Sequence, residues 1–242
     1  MYWSNNSDSP PFVAFSSSHW IMLALFFFGI FLLVKGSILI QTHPPLEHSL
    51  RGFFFILLLG SEISYQVWTA ANGVWNPADH LPLHLCGIAS IVAATALLTN
   101  YEKLIQIAFF IGLTPAMLAL ITPELPYDFP HFRFFKFFIH HMIISWASLF
   151  LVLTRPVSIR FRVVLEVFIV LNLYALLIYP LNRLWNANYL YLNKRPEAAT
   201  LLDFFGDGIN YLISLEVTAL FVFIIQWLWY AYGLNKYRSN KK

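Results

Sequence analysis

The run from His19 to Ile40, HWIMLALFFFGIFLLVKGSILI, holds one charged residue, Lys35. About 20 apolar residues in helical form cross the roughly 30 Å hydrocarbon core of a bilayer, so this run reads as a membrane span. No basic segment precedes it and no small-residue cleavage site follows, which argues against a secretory signal peptide. Lipid offers no hydrogen-bond partner to the backbone, so the span must be a helix that satisfies its own amides and carbonyls.

Six further runs have the same character: Leu50–Ala70, Leu81–Thr99, Leu104–Thr122, Phe132–Leu153, Phe161–Pro180 and Tyr211–Tyr232. The expectation is an all-α polytopic membrane protein, a bundle of seven transmembrane helices forming one domain over residues 1–242. Composition agrees. The chain is 59% hydrophobic and 11% charged, against about 25% charged residues in soluble domains. One cysteine excludes an intramolecular disulfide and a Cys-rich zinc site, and no metal or other cofactor is expected. A net charge of +3, spread along the chain, does not suggest nucleic acid.

Lys and Arg set the orientation. With the N-terminus outside, the inner side receives Arg51, Lys103, Arg155, Arg160, Arg162, Lys236, Arg238, Lys241 and Lys242, and the outer loops receive only Arg183, Lys194 and Arg195. Arg133 and Lys136 open the fifth span. The C-terminal cluster meets anionic headgroups or is a solvated tail. Asn5-Asn6-Ser7 fits a glycosylation acceptor, a triplet common by chance. The link Leu181–Asn210 is much longer than the others, and long loops in compact proteins are often functional. Pro82 suits the first turn of the third helix, and Pro115 is expected to kink the fourth.

Ionisable residues inside spans are costly and usually face the bundle interior. Here they gather at one depth. Glu62 and Gln66, four residues apart, share a face in the outer half of the second helix. Cys86 lies about 6–8 Å below the start of the third, and His140 and His141 about 12–14 Å below the start of the fifth. Glu216 lies about one and a half turns into the seventh, and Tyr179, Asn182 and Arg183 close the sixth on the outer side. Glu166 alone belongs to the inner half, with Arg162 as its expected partner. Such a layer is either a functional cavity or a buried hydrogen-bond network that fixes helix register.

A thiol becomes a strong nucleophile when ionised, which burial opposes, so Cys86 would need help. His84 is two residues away and points roughly 200° around the helix, a poor geometry for contact. His140 and His141 come from another helix at compatible depth. His141 shares a face with Ser145 and Ser148 and is assigned as base; His140 shares a face with Lys136 and Arg133. That basic stripe suits a phosphate headgroup or is ordinary snorkelling. The bland reading of Cys86 stands beside the catalytic one: Cys86, Ser90 and Ala94 form a small-residue row suited to close helix contact.

Several segments carry a resemblance. Leu81-Pro82-Leu83-His84-Leu85-Cys86, Phe129-Pro130-His131-Phe132-Arg133-Phe134-Phe135, His140-His141, Asn188 through Pro196 and Leu201 through Gly206 are similar to the YwaF-like family of seven-helix membrane proteins, the group that includes transmembrane protein 164. The family often continues Gly-Pro-Trp-Pro-Trp-Tyr where this chain reads Gly206-Asp207-Gly208-Ile209-Asn210-Tyr211. The resemblance implies acyl transfer between phospholipids through an acyl-cysteine intermediate, with Cys86 as nucleophile and His141, or else His140, as base.

The reading that results is a membrane-embedded thiol acyltransferase or lipid hydrolase, with phospholipids as both substrate and solvent. It would reside in a bacterial-type cytoplasmic membrane or a eukaryotic cell membrane. His84, Glu62, Arg133, Lys136, Asn182, Arg183, Asn188 and Glu216 are the candidate substrate-binding residues, and Asn182, Asn188 or backbone amides near Gly87 the candidate oxyanion donors. Two rivals remain. In a proton-coupled transporter, Glu62, His141 and Glu216 would form a relay, although no inverted repeat is evident. A non-catalytic scaffold would need only the bundle. A receptor is disfavoured, because the seventh span has no lysine for retinal and no extracellular disulfide can form.

Overall fold

The computed structural model describes residues 3–5, 10–196 and 201–234. Asn6 and Ser7 of the glycosylation triplet and the basic residues Lys236, Arg238, Lys241 and Lys242 lie outside these. The described chain is all helical, with no strand. Six helices are long and apolar enough to cross a membrane: α1 (Ser17–Thr42), α2 (Pro44–Ala71), α4 (Glu102–Ile121), α5 (Phe132–Thr154), α6 (Phe161–Trp185) and α7 (Gly208–Leu234). Between α2 and α4 lies a shorter apolar helix, α3 (Leu85–Thr99).

The third span therefore departs from expectation. Its helix has 15 residues, about 22 Å of rise, and it starts at Leu85 rather than Leu81. Pro82 precedes the helix instead of opening its first turn. The reason is local: the amides before α3 find partners outside a helix. Ala78 and Asp79 donate to the Asn76 side chain (2.9 and 3.0 Å), and the Leu81 amide donates to the Tyr189 hydroxyl (3.1 Å). Gly87 is required where the chain folds back, because a Cβ there would sit 2.5 Å from the Pro82 carbonyl oxygen. The sixth span runs on through Pro180 to Trp185, so the long link shortens at its start.

α5 is the most buried of the long helices, and α1, α2, α3 and α4 all pack on it. α4 accommodates Pro115 by a π turn over Phe109–Leu113 rather than by ending. Two carbonyls of that turn take side-chain donors: Phe109 accepts from Gln226 of α7, and Leu113 from Ser145 of α5 at 2.9 Å. Outward faces are strongly apolar, as with Phe27, Phe28 and Phe31 of α1 and Leu173, Leu176 and Leu177 of α6. Lipid is the solvent such surfaces require.

Two polar faces close the bundle. At one, here the distal face, Glu47 joins Arg155, Lys103 joins Glu166, and Arg162 Nε meets Glu166 Oε1 at 2.9 Å, the pairing the spacing suggested. The C-terminal half of α7 docks there, with Trp227 donating to the Ile159 carbonyl (3.1 Å) and Tyr230 to that of Val157 (2.6 Å). At the opposite, proximal face, the N-terminal segment lies over the bundle. Trp68 donates to the Trp3 carbonyl (2.6 Å) and the Asp128 amide to that of Pro10 (2.9 Å). Beside it the α2–α3 loop packs under the loop after α6, around Ile178, Ala187 and Tyr189.

Candidate functional site

The shortened α3 changes the environment of Cys86. With His84 as N-cap and Leu85 as the first helical residue, Cys86 is the second residue of the helix, inside the first turn, where amides are unspent and the helix dipole is felt. The sequence reading had placed it beyond that turn. The residue is half-buried. α3 packs on α5, the helix that carries Lys136.

Lys136 is held from α2. Its Nζ lies 3.9 Å from Glu62 Oε2 and 4.3 Å from the centroid of the Tyr65 ring. Arg133, one turn earlier, lies 5.9 Å from the Tyr65 and Trp68 ring centroids. The basic stripe thus packs across α2 rather than rising unaccompanied to the surface. Glu62 also accepts from Gln66 Nε2 at 2.7 Å, as their spacing implied, and Gln66 donates to the His80 carbonyl (2.7 Å). This chain of contacts ties α2 to the loop that leads into Cys86.

His140 and His141 lie on α5, on which α2, α3 and α4 pack. His140 is buried and its Nδ1 lies 2.7 Å from the Ser61 hydroxyl of α2. Ser145, five residues on and about 140° around the helix, meets α4. α3 packs on α2, α4 and α5 alike. The imidazole of His141 is set by its own helix: Nδ1–H donates to the Phe137 carbonyl at 2.7 Å. That bond puts the proton on Nδ1 and leaves Nε2 as the basic nitrogen, with no hydrogen-bond partner among the described residues.

Two residues on the other side of Cys86 escaped the sequence reading. The Tyr191 hydroxyl donates to Glu124. Leu190 and Tyr191 both have left-handed backbones (φ 58° and 55°), which is costly for non-glycine residues and needs support from surrounding structure. His84 supplies some: its ring packs 5.1 Å from those of Tyr189 and Tyr191. Burial leads in holding the His84 imidazole below its ordinary pKa, and it leads, ahead of the Glu124 bond, in raising that of the Tyr191 phenol. His84, Glu124, Asn188 and Tyr191 border a recess of about 270 Å³. No sequence periodicity marks such a loop; the Tyr191 signal was present only as part of the Asn188–Pro196 block.

The remaining candidates are dispersed. Asn182 is fully buried, and both ends of its amide are taken by the backbone of Tyr189 (2.9 Å each). Asn188 bonds to Asn193 and Lys194 within its own loop. Arg183 stacks with Tyr179 and accepts no part in the Cys86 cluster. Glu216 is half-buried in α7 without a hydrogen bond or ion pair among the described residues.

The candidate residues are thus one cysteine in a helix first turn and, on the adjoining α5, a lysine held by Glu62 and a histidine whose Nε2 has no hydrogen-bond partner among the described residues. Neither the curated proteins nor the solved structures contain a match to this chain. A family model, that of the TMEM164 family, matches residues 14–227, and with that span the chain is a membrane protein belonging to the TMEM164 family.

Proposed function

We propose that this protein is a cysteine-dependent acyltransferase, or lipid hydrolase, acting on phospholipid acyl esters. The observation that carries the reading is the placement of Cys86 in the first turn of α3, a helix that packs on α5, which carries Lys136 and His141. The first-turn amides of α3 assist ionisation of the thiol, and His141 Nε2 receives its proton. Sγ bonds to the ester carbonyl carbon, the ester C–O bond breaks, and the proton passes from His141 to the departing lysophospholipid oxygen. The hydroxyl of an acceptor lysophospholipid, or water, then attacks the thioester, giving its proton to His141 while Sγ leaves as thiolate. Ping-pong kinetics follow.

Lateral entry is supported by α7. Its buried residues are Tyr211 and then Phe223, Gln226, Tyr230 and Leu234, so most of its proximal half is not packed into the bundle. In this reading the chain crosses the membrane seven times, α3 being completed by the loop before it. The N-terminus lies outside and the C-terminus inside, which the distribution of Lys and Arg along the sequence supports. The test is transfer of a labelled acyl chain from phospholipid to lysophospholipid in proteoliposomes. Cys86→Ala is expected to abolish it; transfer at the wild-type rate would end the proposal.

A further inference from the structure

A second recess, of about 370 Å³, lies at the proximal face between the end of α6, the 192–195 loop and the start of α7. Arg183, Lys194 and Arg195 line it, with Asp207 as the single carboxylate of its walls among the described residues. Arg183 has no carboxylate within ion-pair distance among the described residues; its bond is to the Tyr179 hydroxyl at 2.9 Å. Arg195 is pinned as a wall by Asp207 Oδ1 (2.9 Å) and the Asp203 carbonyl (3.1 Å).

Two further features point to a ligand. Tyr211 is 4% exposed, lines this recess, and its hydroxyl has no hydrogen-bond partner among the described residues. A buried hydroxyl left unpaired is costly, so such groups ordinarily have a partner. Arg195 is within electrostatic reach of that hydroxyl. In addition, α7 opens here at Gly208 without a side-chain cap from Asp207, and the space where a Gly208 side chain would lie is open to 4 Å. First-turn amides, guanidinium groups and a phenolic donor together are the donor set that binds a phosphate.

We propose that this recess is a phosphate site that holds the phosphodiester of a phospholipid headgroup. The proposal deepens the acyl-transfer reading and rests on it for the ligand being a lipid; the same donor set would hold free phosphate. The test uses the purified full chain in detergent, presented with phosphatidylglycerol and with diacylglycerol of the same acyl chains, and counts retained lipid by native mass spectrometry. Wild type is expected to prefer the phospholipid, and Arg183→Gln or Tyr211→Phe to reduce that preference about tenfold or more. Tyr211→Phe removes only a hydroxyl, and an unchanged unfolding midpoint shows that it folds. A rise of the wild-type midpoint with inorganic phosphate, lost in Arg183→Gln but without preference between the lipids, would support the site and assign it to free phosphate. Lipid preference and phosphate response unchanged in both variants would overturn it. Cys86→Ala separates the two readings: if it transfers acyl chains normally while Arg183→Gln still loses lipid preference, the transferase reading fails and the phosphate site stands.

Discussion

At Cys86 the decisive quantity is how much of the thiol is ionised, and Lys136 of the adjoining α5 is the cation proposed to assist it. Lys136→Met is therefore expected to slow alkylation of Cys86 by iodoacetamide about tenfold, a loss of roughly 1.4 kcal/mol of stabilisation of the thiolate. Equal alkylation rates would remove Lys136 from the site. His141→Gln should lower acyl transfer by about two to four orders of magnitude while leaving the protein folded. If rates instead follow His140, whose ring is engaged by Ser61, the assignment of the base moves there. The cysteine, the histidine pair and the Glu62–Gln66 spacing were legible in the sequence because each is a matter of residue type and helical period. The pairing of Lys136 with Glu62 and Tyr65 was not, since it depends on how α5 is rotated against α2.

Among the elements, the start of α3 is the one on which the site depends. Asn76, Tyr189 and the fold-back at Gly87 hold the segment before Leu85 out of the helix and so bring Cys86 into the first turn. A methyl group at position 87 would collide with the Pro82 carbonyl, a backbone atom that cannot swing aside. Gly87→Ala is expected to lose acyl transfer although Cys86 is intact, and wild-type activity in that variant would show that the fold-back is not needed. Tyr189→Phe loses bonds to the Pro77 carbonyl (2.6 Å) and the Leu81 amide. It should destabilise the loop by about 1–3 kcal/mol, read as faster amide exchange between residues 77 and 84. Hydropathy placed the helices well but misread this boundary, because Leu81, Leu83 and Leu85 continue the apolar run while the Leu81 amide is taken by the Tyr189 hydroxyl and the Leu83 amide by the nearby Leu81 carbonyl.

Across the whole molecule, the proximal face carries the titratable loops. Burial leads in pushing the imidazoles of His80, His84 and His131 below their ordinary value of 6.5. The unfolded chain therefore binds protons near 6.5 that the folded chain refuses. This contribution to stability is fully present above pH 6.5 and is lost as pH falls through the lower folded values. At the alkaline end the sign reverses. Burial leads in raising the Tyr189 phenol to about 12 from an ordinary 10.0, so that contribution is present below pH 10 and lost as pH rises toward 12. Thermal unfolding should show a plateau between these limits with a fall on each side, and a midpoint unchanged between pH 7.5 and 5 would contradict the acid arm. The bundle was legible from apolar runs alone; the loops that cover its proximal face were not, since their contacts join residues as distant as Asn5 and Tyr127.

The central claim is that Cys86 carries an acyl group during turnover. Intact-mass analysis of the protein after incubation with phospholipid tests it most directly. The account predicts a mass gain of an acyl chain that hydroxylamine at neutral pH removes and that Cys86→Ala never acquires; a protein that transfers acyl chains while its mass stays unmodified, or that is modified equally without Cys86, would contradict it.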